Sequence, residues 1–187
     1  MKGARTTSDV YVALLRGINV GGKNMLPMKT LAALFAKAGC LDVVTYIQSG
    51  NVVFRAAEPV ASRVAGVIAK AVSDRLGFRA PVVMRTAAEL RAVARSNPFL
   101  RPGTETDALH VMFLADRPAP EKVAGLDLQR SLPDRFEVRG REVFLHCPNG
   151  VGRTRLTNDY FDTKLATTST MRNWRTVLKL VAMTGEL

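Results

Sequence analysis

The sequence has 187 residues, of which 47% are hydrophobic and 23% are charged, a composition typical of a folded globular chain and not of a disordered one. Its formal net charge is +11, from 27 Lys and Arg against 16 Asp and Glu. Such a basic chain favours a polyanionic partner, although a solvated basic surface has the same composition. Its apolar runs are far shorter than the roughly 20 residues of a membrane span. Residues 1–9 lack the apolar stretch of a secretory signal. We therefore expect a cytoplasmic protein with no membrane partner.

The first half of the chain reads as alternating strands and helices. Its predicted elements are, in chain order, a strand at 10–15, a loop at 16–26, a helix from Pro27 to Gly39, strands at 43–47 and 52–56, a helix at 58–77 and a strand at 81–85. The two strands at 43–47 and 52–56 flank a short turn with Gly50 and Asn51, which predicts a hairpin. The resulting order, β-α-β-β-α-β, is the split βαβ pattern of ferredoxin-like folds.

A similar pattern returns in the second half after a connecting helix at 86–97. Its predicted elements are a strand at 109–115, a short helix within 118–130, a hairpin over 134–147 that turns at Gly140, a helix at 154–166, a short strand at 167–171 and a closing helix at 172–183. We predict an α+β protein of two ferredoxin-like halves, the second imperfect, with a C-terminal helix. The predicted divisions are 1–85, a connecting segment 86–107, and 108–187.

The cysteines and histidines do not form a recognisable catalytic or metal site. Cys40 and Cys147 are the two cysteines, and a disulfide between them is not expected in a reducing compartment. His146 and Cys147 are neighbours on a predicted strand, so their side chains point to opposite faces and cannot act as a nucleophile–base pair. His110 has no Cys or His partner nearby in sequence. We therefore expect neither a metal nor a cofactor.

The stretch "RGINVGGKN" (16–24) resembles a phosphate-binding loop between a strand and a helix. Residues 17–23 match G-x-x-x-x-G-K, but Asn24 stands where a P-loop needs Ser or Thr. Pro27 also places the helix start too late, and hairpin-joined strands contradict the parallel sheet of P-loop proteins. Two interpretations remain open. The glycines expose backbone amides beside Arg16 and Lys23 for an anion, or the Asn side chains cap the loop's own backbone.

The stretch "PNGVGRTRLTN" (148–158) has a similar composition. Gly150 and Gly152 follow a strand, and Arg153 and Arg155 are predicted to enter a helix. Backbone amides and guanidinium groups in such a loop suit phosphate, while the alternative is a plain Asn-Gly turn with solvated arginines. In a third cluster, "MRNWRT" (171–176), Trp174 fits the apolar stripe of the closing helix, which favours a core role over the alternative, stacking on a base. Arg172, Asn173 and Arg175 lie off that stripe and are available to a ligand.

Three long motifs identify a resemblance. "YVALLRGINVGGKNMLPM", "YIQSGNVVF" and "PNGVGRTRLTNDYFDTKL" with "TMRNWRTVLKL" closely resemble the bacterial family labelled domain of unknown function 1697, over about Tyr11 to Leu180. The resemblance implies a two-part α+β protein with ferredoxin-like halves and supplies no activity. The recurrent polar positions of the family correspond here to Arg16, Asn19, Gly21, Gly22, Lys23, Asn24, Gln48, Ser49, Gly50, Asn51, Asn149, Gly150, Gly152, Arg153, Thr157, Asn158, Arg172, Asn173, Trp174 and Thr176.

The sequence favours a polyanion-binding function, with nucleic acid as the polyanion. The predicted anion-binding residues are Arg16, Asn19, Gly21, Gly22, Lys23, Asn24, Gln48, Ser49, Asn51, Asn149, Gly150, Gly152, Arg153, Arg155, Asn158, Arg172 and Asn173. Two alternatives stay open. The first is an enzyme or binder of a small phosphorylated or carboxylated metabolite, for which no general base can be named. The second is a protein–protein adaptor that pairs through exposed strand edges. The sequence leaves the oligomeric state open.

Overall fold

The computed structural model describes residues 8–187, which form two compact units. One unit contains the chain up to Leu90 together with Leu180–Leu187, and the other contains Arg91–Lys179. The divisions predicted from the sequence, 1–85, 86–107 and 108–187, stay predictions. Residues 1–7, which belong to the first predicted division and to the segment that lacks a secretory signal, lie outside the described residues.

The first unit is a four-stranded antiparallel sheet with two crossover helices. The strands are β1 (Asp9–Leu15), β2 (Leu41–Tyr46), β3 (Asn51–Ala56) and β4 (Val82–Thr86), and the helices are α1 (Met28–Lys37) and α2 (Glu58–Leu76). The strand order is β2-β3-β1-β4. With the chain order β-α-β-β-α-β this is the ferredoxin-like arrangement, and the prediction for this half is confirmed.

The second unit repeats that topology. After α3 (Ala87–Arg95) come the strands β5 (Leu109–Leu114), β6 (Arg135–Arg139), β7 (Glu142–His146) and β8 (Ser169–Asn173), and the helices α4 (Pro120–Ala124) and α5 (Asn158–Leu165). The C-terminal helix α6 (Trp174–Glu186) begins in this unit, and its residues from Leu180 belong to the first unit. The strand order is β6-β7-β5-β8, and every pairing is antiparallel. The first crossover helix of this unit, α4, has only five residues, against ten in α1 of the first unit.

Each sheet packs its helices against one face. In the first unit, Ala13 and Leu15 of β1 meet Phe35 of α1 and Ile68 of α2 in one core. In the second unit, Met112 and Leu114 of β5 meet Phe161 and Leu165 of α5. Because side chains alternate along a strand, Val12 of β1 and Val111 of β5 lie on the face of their own sheet that points away from these helices. Both residues are also buried. Burial on both faces agrees with the nearly continuous apolar sequences of β1 and β5.

Local signals in the sequence fix several helix ends. At α3, the Glu89 N–H donates to Thr86 Oγ1 (3.1 Å) and the Thr86 N–H donates to Glu89 Oε2 (2.8 Å), a reciprocal capping box. At α2, Gly77 ends the helix in the left-handed conformation at φ +73° and donates to Ser73 O. These ends lie within one residue of the predicted ones.

Two predicted helix starts are wrong. The helix predicted from residue 154 begins at Asn158, because the Thr157 side chain accepts from the Tyr160 N–H and caps it. The helix predicted from residue 172 begins at Trp174, because β8 continues to Asn173, which pairs with His110. Within the described residues, none of the helices combines the length and the apolar character needed to cross a bilayer.

Candidate functional site

The first loop, residues 16–27, connects β1 to α1 and contains no helix. Gly17, Gly21 and Gly22 all have positive φ (+72°, +58° and +74°) and face open space. These values favour glycine, so the glycines allow the loop to double back in a short bridge between Val20 and Lys23. Because α1 begins only at Met28, no helix N-terminus faces Lys23 as it would in a P-loop.

Two asparagine side chains hold the first loop together. Asn19 Nδ2 donates to Leu26 O (2.9 Å) and to Gln48 O (2.8 Å), and its Oδ1 accepts from the Leu26 N–H (2.7 Å). Asn24 Nδ2 donates to Gly17 O (2.7 Å). Both residues have positive φ, which asparagine tolerates better than most residues. The amides of Asn19 and Asn24 thus support the interpretation in which the Asn side chains cap the loop's own backbone.

The hairpin turn between β2 and β3 is hydrogen-bonded to the first loop and to the end of β1. Asn51 is fully buried, and its Nδ2 donates to Tyr46 O (3.1 Å) and Ser49 Oγ (2.9 Å). The Leu15 N–H donates to Gly50 O (2.8 Å), which joins the turn to the end of β1. Gln48 and Lys23 are exposed and Arg16 is half-buried. The structure therefore brings the predicted residues of 16–24 and 48–51 together at one end of the first sheet.

The second loop, residues 147–157, follows β7 and leads to α5. Arg153 and Arg155 lie in this loop and are exposed, and they do not enter a helix as predicted. Among the described residues, neither guanidinium has an acidic partner within ion-pair distance. No acidic residue occurs between Cys147 and Thr157. The loop therefore presents uncompensated positive charge to solvent.

Ser131 fastens the second loop to the segment before β6. The Arg155 N–H donates to Ser131 Oγ (2.9 Å), and Ser131 Oγ donates in turn to Asp134 Oδ2 (2.9 Å). Thr154 Oγ1 lies 3.3 Å from the same hydroxyl and accepts from the Leu156 N–H. Arg130 Nε donates to Arg155 O (2.9 Å). The Arg130 guanidinium also lies 4.1 Å from the centre of the Tyr160 ring.

A cavity of about 460 Å³ lies between these two segments. Asn149, Gly150, Gly152, Arg153 and Thr154 line one wall, and residues 131–134 line the other. Asp134 is the acidic residue in that lining; it is buried and accepts the Ser131 hydroxyl. One wall therefore offers a guanidinium, a side-chain amide and a hydroxyl, which are groups that bind phosphate oxygens.

Other predicted residues near this loop serve the fold. Asn158 Nδ2 donates to Ser169 Oγ (2.8 Å), which donates to Asp162 Oδ1 (2.6 Å), so the Asn158 amide ties α5 to β8. Asn173 Oδ1 accepts from the Thr176 N–H (2.8 Å) and caps α6. Trp174 is 1% exposed, in agreement with its assignment to the core. Asn173 itself is exposed, at the same end of the second sheet as the second loop.

Arg172 lies in a strand and not on the closing helix. It is 8% exposed, and its Nη1 donates to Thr170 Oγ1 (2.8 Å) and Met171 O (2.8 Å). Burial lowers the pKa of its guanidinium to about 10. An arginine held in this way is not presented to a polyanion, so we leave Arg172 out of the site proposed below.

The buried cysteines and His110 show no activated chemistry. Burial raises the pKa of the Cys147 thiol to about 11, and the Asp134 carboxylate adds to this shift; burial alone raises that of Cys40 to about 11. Burial lowers the pKa of His110, whose Nδ1 is buried without a hydrogen-bond partner among the described residues. Within residues 8–187, no three or more His, Cys, Asp and Glu side chains are grouped to hold a metal ion.

Sequence reasoning missed the residues that face the second loop. Ser131 and Asp134 shape the cavity, and Phe99 stacks on His146 with ring centres 6.0 Å apart. Ser131 lies far from Arg155 along the chain, so no local pattern connects them. The first and second loops belong to different units, and the convergence of the predicted clusters on one site stays a prediction.

The fold and the loops define an α+β protein of two ferredoxin-like units, each with a polar, basic loop at one end of its sheet. The model of the family described as "Protein of unknown function (DUF1697)" matches residues 9–144, and the chain belongs to that family. The resemblance stated from the motifs is confirmed over that range, which ends before the second loop.

A solved structure of a conserved bacterial protein from Streptococcus pneumoniae is similar to this chain. Its TM-score is 0.70 at 19% sequence identity, and the alignment covers 95% of this chain and 99% of that one. At this identity the similarity supports the fold alone. Comparison with curated proteins gives no match.

Proposed function

We propose that the second loop binds the phosphates of a polyanion, and that this polyanion is a nucleic acid. The observation that carries the proposal is the position of Arg153. Its exposed guanidinium lines the 460 Å³ cavity beside Asn149 and Thr154, with no acidic partner among the described residues. Arginine binds phosphate through two parallel N–H···O bonds, which a lysine cannot reproduce.

Neighbouring charges extend this site beyond a single phosphate. Arg155 is exposed two residues further along, and Arg130 is held against Tyr160 by its own hydrogen bond to Arg155 O. The Ser131 hydroxyl fixes the Arg155 backbone, so the loop is ordered before any ligand binds. Pre-ordered groups lose less conformational entropy on binding than flexible ones. Three arginines close together in this part of the chain suit a ligand with more than one phosphate.

The proposal requires binding that depends on salt. We would measure fluorescence anisotropy with labelled single-stranded RNA, single-stranded DNA and duplex DNA at two salt concentrations. Micromolar or tighter binding that weakens as salt is raised supports the proposal. Binding to none of the three, or binding that salt does not change, rules it out.

Asp134→Asn provides a sharper local test. Asparagine keeps an oxygen that accepts the Ser131 hydroxyl, but it removes the negative charge from the cavity wall. If a phosphate enters the cavity, this variant binds more tightly than the wild type, because a like charge has been removed. Unchanged affinity would place the phosphate outside the cavity.

The volume of the same cavity also favours a second candidate function, the binding of a small phosphorylated metabolite. A volume of about 460 Å³ lies within the range of small-molecule sites, roughly 300–1,000 Å³. Thermal-shift measurements with nucleotides and sugar phosphates test it. A ligand that raises the melting temperature of the wild type, but not that of Arg153→Ala, would favour this candidate.

A further inference from the structure

The surface beside the second loop contains two more cavities that adjoin the first. A cavity of about 460 Å³, here called the central cavity, shares Gly150 with the cavity that Arg153 lines. A smaller one of about 170 Å³, the outer cavity, shares Thr104 and His146 with the central cavity. The three cavities are therefore linked in a row through shared lining residues, within a single unit.

Arginines line the cavities at both ends of this row. Arg153 lines the first cavity, and Arg101 and Arg135 line the outer one. Glu137 also lines the outer cavity, but Arg139 Nε binds its carboxylate at 2.6 Å. Positive charge at both ends suits two phosphates of one chain, with the central cavity between them.

The central cavity has the features of a site for a flat, uncharged group. Its wall includes His146, which is half-buried and stacks on Phe99 at an interplanar angle of 28°. The Arg135 guanidinium lies 5.7 Å from the centre of the Phe99 ring, and its Nη2 lies 3.5 Å from His146 Nδ1. The imidazole therefore has a stacking partner on one side and a guanidinium beside it, and an aromatic ring in such a position is a platform on which a base stacks.

The acidic groups of the central cavity agree with a base there and not with a phosphate. Asp107 is compensated by Arg175, whose Nη2 lies 2.8 Å from its Oδ1. Glu105 is exposed, lines the cavity and repels a phosphate, but its carboxylate can accept an amino group of a base, as Glu does with cytosine N4.

We propose that the central cavity holds one unstacked nucleobase of a single-stranded nucleic acid, which stacks on His146 and donates an amino hydrogen to Glu105. The phosphates on its two sides contact Arg153 and the Arg101–Arg135 pair. This inference rests on the proposed function and narrows it. A paired base cannot reach the cavity, so the ligand is single-stranded.

The test uses two labelled oligonucleotides of equal length and charge, oligocytidine and an oligonucleotide with abasic sites, with the full chain. We expect the wild type to bind oligocytidine at least about tenfold more tightly than the abasic strand. His146→Leu should abolish that difference while still binding the abasic strand. His146→Phe keeps an aromatic ring and should retain the difference. Binding of the abasic strand by His146→Leu shows that the leucine variant is folded.

Three outcomes separate this inference from the proposed function. Equal affinity of the wild type for both strands, or duplex bound as tightly as single strand, overturns the inference and leaves polyanion binding in place. A preference for oligocytidine that survives His146→Leu overturns it as well. If neither strand binds, the inference fails, and the proposed function fails with it when duplex DNA is not bound either. Glu105→Gln should lower the ratio of the oligocytidine affinity to the abasic-strand affinity.

Discussion

Arg85 and Arg172 occupy corresponding positions in the two sheets. Arg85 lies opposite Val12 on the first strand of its sheet, and Arg172 lies opposite Val111 on the first strand of the other. Both are buried, and each donates from Nη1 to the carbonyl of the methionine that precedes it, at 2.7 and 2.8 Å. The polar residue that follows each arginine then caps a helix. The repeat of topology therefore extends to the Met-Arg-polar sequence at this strand end.

Arg172→Lys should destabilise the fold without affecting ligand binding. Lysine ends in a compact, strongly hydrated ammonium group that is costlier to bury than a guanidinium, so we expect the free energy of unfolding to fall by about 1–3 kcal/mol. Urea unfolding measures this. The salt dependence of polyanion binding by the folded variant should equal that of the wild type; a shallower dependence would return Arg172 to the binding site.

Asn19→Asp should loosen the first loop although it changes almost no volume. The carboxylate cannot donate to Leu26 O and Gln48 O, and it places a negative charge beside both carbonyls. We expect a loss of about 2–3 kcal/mol of stability and faster hydrogen exchange at the Leu26 N–H. Asn24→Asp is the matched control: it loses one exposed bond and should cost less than about 1 kcal/mol. Equal costs would contradict this account.

Gly50→Ala should be far more costly than Gly21→Ala. Both positions have positive φ, so the backbone penalty of a side chain is similar in the two variants. A Cβ on Gly50 would lie 2.7 Å from Leu15 Cβ and 2.9 Å from Ile18 Cδ1, whereas Gly21 faces open space. We expect Gly50→Ala to lose at least about 1 kcal/mol more than Gly21→Ala in thermal or urea unfolding. Equal losses would show that the turn shifts to accept the methyl group.

The two buried thiols should make stability fall at high pH. Their folded pKa of about 11 lies above the ordinary value of about 9, so the folded state retains the protons that the unfolded state releases. Their stabilising contribution is complete below pH 9 and is lost as pH rises towards 11. The Cys40→Ala/Cys147→Ala variant should lose less stability over that interval than the wild type. If stability falls equally with pH in the wild type and in the double variant, the two thiols do not have raised pKa values in the folded state.

The sequence predicts the fold well because apolar runs, glycines and a capping box specify the elements locally. It places Arg172 wrongly, because "MRNWRT" suits a helix as well as a strand end and arginine is seldom buried. It also gives no sign of Ser131 beside Arg155, since that contact depends on how the chain returns to the second loop. For the first loop, the sequence leaves two interpretations open. The hydrogen bonds of Asn19 support the one in which the Asn side chains cap the loop's own backbone.

The most direct test of polyanion binding compares Arg153→Ala/Arg155→Ala with Arg63→Ala/Arg75→Ala. Both variants remove two positive charges, but Arg63 and Arg75 are exposed on α2, away from the second loop along the chain. We would measure the slope of log K against log salt concentration for single-stranded nucleic acid. The proposal predicts that the slope becomes shallower by about 1.4 for the loop variant, since two phosphate contacts are lost, and stays unchanged for the control. Equal slopes in both variants would show that binding follows net charge and would contradict a site at the second loop.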